Sequence, residues 1–122
     1  MKNLLFIIVF SAQLISCQEN VSTSDFTGNE TTYDLQSASH YNISGAFTLK
    51  EKRDGTTQVV VKLVGTSGES KLPVHLHLGD ISTPGADVAA LLSPVNAKTG
   101  TSETLLKQLS DESEVTYSDL LK

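Results

Sequence analysis

The sequence has 122 residues, room for one domain. Hydrophobic residues make up 39% and charged residues 19%, which argues against wholesale disorder. The net charge of −5 argues against nucleic-acid binding, which wants a basic stripe, and against adhesion to anionic lipid by charge alone.

The chain opens with Lys2, then an apolar run from Leu4 to Phe10, then a mixed stretch from Ser11 to Ser16. The run is too short for a bilayer span, which needs about 20 residues, and has the length of a secretory signal. Residues 1–16 are therefore expected to be a signal peptide. Leu14-Ile15-Ser16-Cys17 spans its end and resembles the bacterial lipobox, with leucine three positions before the cysteine and a small residue one before it. The resemblance implies that the Cys17 thiol receives diacylglycerol and that cleavage falls just before it. Each buried methylene contributes about 0.8 kcal/mol, and stable anchoring needs more than one chain. Lipobox cysteines carry two or three. Cys17 is also the single cysteine, so no internal disulfide is available and packing alone must hold the domain.

Residues 17–31 are expected to be the lipidated cysteine and a polar spacer. Gln18 to Thr31 has no basic residue and two sizeable apolar ones, too few to offset ordering entropy. Its expected role is to hold the domain off the membrane. Sequons at Asn20, Asn29 and Asn42 read, beside a lipobox, as chance in a Ser/Thr-rich stretch.

Residues 32–122 form the expected β domain, with a two-fold pattern throughout. Ile43, Gly45, Phe47 and Leu49 share one strand face. Asp54-Gly55 signals a hairpin, because its turn needs positive φ. Val59, Val61 and Leu63 line the return strand, and Gly65 to Gly68 is a loop. Leu72, Val74, Leu76 and Leu78 alternate with Pro73, His75, His77 and Gly79. A loop from Gly79 to Asp87 precedes a short strand from Val88 to Leu92. Asn96 to Gly100 reads as a turn, Thr101 to Leu109 as a strand and Ser110 to Glu114 as an acidic loop. Thr116 caps a short helix with Asp119 in its first turn. Strands at this spacing predict a sandwich or barrel.

His75-x-His77 is the most informative pair. Residues two apart in a strand point the same way, so the imidazoles project together, opposite the apolar stripe. Imidazole suits copper and zinc, but a stable site wants three or four ligands. His40 and Asp80 are the candidates for a third, and no spacing proves that either converges. There is no Gly-x-Ser-x-Gly elbow, P-loop or dinucleotide glycine pattern. Asp111, Glu112 and Glu114 read as a solvated loop rather than an acid–base pair.

Val74-His75-Leu76-His77-Leu78-Gly79, the Gly/Pro loop after it and the segment Thr116 to Leu121 together resemble the CHRD domain of secreted proteins and lipoproteins. The likeness spans roughly residues 32–122. It implies an all-β, antiparallel, Greek-key-like β-sandwich with a short helix near the C-terminus. A more distant likeness to copper/zinc superoxide dismutases rests on His75 and His77 alone, matching a copper-binding His-x-His strand; the other ligands of that site have no counterpart. CHRD domains continue into a strand containing Asn-Val-His and then a closing strand, so the likeness also implies a sandwich incomplete at its C-terminal end. An incomplete gene product is favoured over a partner that completes the sheet, because an unpaired edge invites aggregation.

The expectation from sequence is thus a lipoprotein of the bacterial cell envelope, membrane-bound through Cys17, with a β-sandwich serving as a binding or structural module. Its protein or carbohydrate partner is not specified. The alternative is a copper- or zinc-binding, superoxide dismutase-like protein using His75 and His77.

Overall fold

The computed structural model describes residues 24–38, 40–79 and 85–122. The expected signal peptide, Cys17, the first part of the spacer and Asp80 lie outside the described residues.

Six strands follow in order: β1 (Phe26–Leu35), β2 (Ser44–Lys52), β3 (Thr57–Val64), β4 (Lys71–His77), β5 (Val88–Asn96) and β6 (Thr101–Leu106). A 3-10 turn at Asp119–Leu121 is the short C-terminal helix. All pairings are antiparallel, in the spatial order β1-β2-β3-β6-β5-β4. Strands β4, β5 and β6 follow one another by hairpins, and β6 lies beside β3, which is the Greek-key arrangement. The fold is all-β, as the alternation predicted.

The sheet is folded over on itself. Strand β5 makes one ladder pair with β6, Asn96↔Thr101, and further along Ser93 N–H donates to the Thr104 side chain at 2.8 Å instead of to a backbone partner. Tyr33 on β1 and Leu76 on β4 line the same cleft. In a flat sheet five strand spacings, about 24 Å, would separate those strands. The β4–β5 hairpin therefore lies across the four-stranded layer β1-β2-β3-β6. Leu49, Val59, Ala90 and Leu106 are buried between the layers, with Phe47, Leu76 and Leu92 packed against them. Val115 and Tyr117 complete the cluster, and the Tyr117 hydroxyl lies 2.7 Å from that of Thr31.

Local chemistry explains where the strands bend. Between β4 and β5 the register slips twice, between Leu72 and Val74 and between Leu76 and His77. At the first slip β5 carries Ser93-Pro94, and a proline that cannot donate to a ladder is tolerated at a bulge. Pro73 occurs in β4, an edge strand, where its missing N–H costs little. The Asp54-Gly55 hairpin forms where expected, but with three loop residues, and Gly55 alone takes positive φ, at 86°. Lys52 N–H donates to Thr56 O at 3.0 Å, and Asp54 Oδ1 accepts from the Thr56 backbone at 2.9 Å.

Three expectations need correction. The short strand expected from Val88 to Leu92 runs on to Asn96. The spacer was expected to reach Thr31, yet β1 begins at Phe26. This stretch has no apolar alternation because polar hooks hold it: Thr27 Oγ1 and Asn29 Nδ2 each donate to Glu51 Oε2 at 2.8 Å. Gly28, at φ 99°, lets the strand bulge between Phe26 and Glu30. The strand expected from Thr101 to Leu109 ends at Leu106. Ser110 N–H donates to Ala89 O at 2.7 Å, and a bridge pairs Gln108 with Glu114, so residues 107–115 form a separate loop tied to β5.

Candidate functional site

Strand β4 is sided as its sequence dictates. Leu72, Val74 and Leu76 are half-buried, and Lys71, Pro73, His75 and His77 are exposed. The imidazole centroids of His75 and His77 lie 6.3 Å apart with planes inclined at 54°. His77 Nδ1 is 2.7 Å from Ala86 O. A carbonyl oxygen can only accept, so Nδ1 carries the proton and Nε2 is left as the lone-pair nitrogen of the neutral ring. That carbonyl also fixes the ring orientation, as the outer partner of a metal-bound histidine does. Across the ladder His75 faces Leu91, which is 70% exposed, so the pair is set in an apolar, open surface.

The third ligand is not supplied by His40. That residue lies in the β1–β2 connection, with its ring 4.4 Å from that of Tyr41. The β1–β2 pairing places it there, since Leu35 and Gly45 are the last partners before the connection. Asp80 lies outside the described residues, as does Cys17. Among the described residues, no three His, Cys, Asp or Glu side chains come together as a metal site would require.

A second feature was not visible in the sequence. A cleft of about 360 Å³ opens between the layers, with Tyr33, Phe47 and Leu49 on one wall and Leu76, His77 and Leu78 on the other. The Tyr33 and Phe47 rings stack, with centroids 4.9 Å apart and planes at 19°. The pair forms because Tyr33 and Phe47 are direct partners in the β1–β2 register. Asp119 and Lys122 stand at the rim, joined by a 2.8 Å ion pair. The only sequence signal was the two aromatics, whose partnership depends on the bulge in β1.

The perturbed carboxylates all serve local structure. Lys122, then Thr116, hold the Asp119 carboxyl well below the usual range. Asn29, then Thr27, lower Glu51. Thr56 lowers Asp54, and Ser113 lowers Asp111. Asp111 Oδ1 accepts from the Ser113 backbone at 3.0 Å, so the acidic segment is a capped turn.

Fold and site define an antiparallel Greek-key β-sandwich with an exposed strand histidine pair and an apolar cleft between its layers. Comparison of the chain with family models, curated proteins and solved structures finds no match.

Proposed function

We propose that this chain is an exported lipoprotein of the bacterial cell envelope, and that its CHRD-like β-sandwich is a binding or structural module held to the membrane by lipid on Cys17. The observation that carries the reading is the placement of the single cysteine. Leu14-Ile15-Ser16-Cys17 follows, after Ser11-Ala12-Gln13, a seven-residue apolar run behind Lys2, which is the layout of a lipoprotein signal. The β body is consistent with such a module, since its strands begin at Phe26, a short tether away from Cys17. No helix among the described residues is long and apolar enough to cross a membrane, so in this reading attachment falls to the lipid.

The test is acylation. Cys17→Ser is expected to abolish incorporation of labelled fatty acid and to release the protein from membranes. Undiminished membrane retention in that variant would overturn the proposal.

One observation favours a second reading, binding of copper or zinc. The Ala86 carbonyl orients the His77 ring through Nδ1, leaving its Nε2 side free beside His75. Two imidazoles on an open strand form half of a structural site. Zinc and copper titrations of the purified protein are therefore expected to show no tight one-to-one binding. Stoichiometric metal that disappears in a His75→Ala/His77→Ala variant would establish the metal reading instead.

A further inference from the structure

We infer that one end of the sandwich, the end carrying the β2–β3 hairpin and the 107–114 loop, is the face apposed to the bilayer, and that the opposite end points away from it. This rests on the lipid-anchored reading and adds an orientation to it.

The tether leaves the body at a fixed place. Arg53, in the β2–β3 turn, donates its backbone N–H to Asp25 O at 2.9 Å and its Nε to Ser24 O at 3.0 Å. Phe26 N–H donates to Ser24 Oγ at 3.2 Å. The last residues before β1 are thus pinned to the hairpin. The sheet register defines what else shares this end. Phe26 is opposite Lys52, and Thr57 is opposite Leu106. The far end carries Leu35, Ser44, Val64, Lys71 and the Asn96–Thr101 turn.

Chain length then excludes the far end from the bilayer. Seven Cα steps separate Cys17 from Ser24. They span at most about 25 Å fully extended. The ten residues of β1 alone run about 33 Å along the body. Seating the far end on the bilayer would lift Ser24 off the surface by roughly the length of β1, beyond what the extended tether reaches. The hairpin end is within reach at every tether extension.

The occupant of this face is the headgroup layer of the membrane that holds the anchor. The far end, with the His40–Tyr41 ring pair and Val64, which is 71% exposed, is then the surface available to other molecules.

Position 107 lies just past β6 at the near end and position 98 in the far turn, and both are exposed. The experiment uses full-length lipidated protein in phosphatidylcholine vesicles that carry a headgroup nitroxide. A dye on Lys107→Cys is expected to be quenched several-fold more than a dye on Lys98→Cys. Equal quenching, or stronger quenching at position 98, in protein that sediments with the vesicles overturns the orientation alone. Protein that fails to sediment with the vesicles overturns the anchored reading and the orientation with it.

Discussion

Single residues here act mostly through local hydrogen bonds, and these have measurable consequences. The Glu51 carboxylate accepts from Thr27 and Asn29, and its pKa is lowered below the ordinary 4.5. A depressed carboxyl stabilises the fold above its unfolded pKa, and that contribution is lost as pH falls through the folded value. The unfolding temperature of the wild type is therefore expected to fall more steeply than that of Glu51→Gln as pH drops below 4.5. Parallel acid titrations of the two by circular dichroism check this. A different effect is expected at Thr57, which is fully buried and whose hydroxyl has no partner among the described residues. A buried hydroxyl left unpaired costs about 1–3 kcal/mol, so Thr57→Val should stabilise the protein by about 1 kcal/mol in chemical denaturation. An unchanged or lower denaturation midpoint would show that the hydroxyl is satisfied in solution.

At the scale of elements, the turn between β5 and β6 fastens the two layers. Gly100 takes φ 71°, donates its N–H to Asn96 O at 2.7 Å and accepts from Leu63 N–H at 2.7 Å. A Cβ at this position would run into the carbonyl of Leu63. Gly100→Ala is expected to destabilise by more than about 1 kcal/mol, from the left-handed backbone and the collision together. Thermal melts of the variant measure it. How much each element shows in the sequence depends on what holds it. Strands β2, β3 and β4 bury one face, so alternation at Phe47–Leu49, Val59–Val61 and Leu72–Leu76 announces them. The first half of β1 is held by Glu51 and by backbone pairing, so it reads as spacer. The segment after Leu106 keeps its apolar residues but leaves the ladder, because Ser110 bonds to β5. The cap expected at Thr116 is displaced: Ser118 precedes the 3-10 turn without a side-chain cap bond, while Thr116 N–H donates to Asp119 Oδ2 at 3.1 Å and Asp119 N–H donates to Thr116 Oγ1 at 3.3 Å, three residues apart as the sequence suggested.

For the whole molecule, the decisive fact is that four strands form one layer and two form the other. The segment from Val115 to Leu120 packs over part of the larger layer, and the Tyr33–Phe47 pair remains at the mouth of the cleft. The sequence by itself determined the all-β class, the sidedness of β4 with both histidines outward, and the hairpin at Asp54-Gly55. Each of these depends on neighbours within a few residues, where side-chain period and backbone sterics act directly. Only the tertiary structure decided that β4–β5 folds across the larger layer, that Tyr33 meets Phe47 at a cleft, and that His40 does not join His75 and His77 in a three-ligand cluster. Those outcomes depend on pairings between residues many positions apart, and they turn on register changes of two residues at Gly28 and of one residue at Ser93-Pro94.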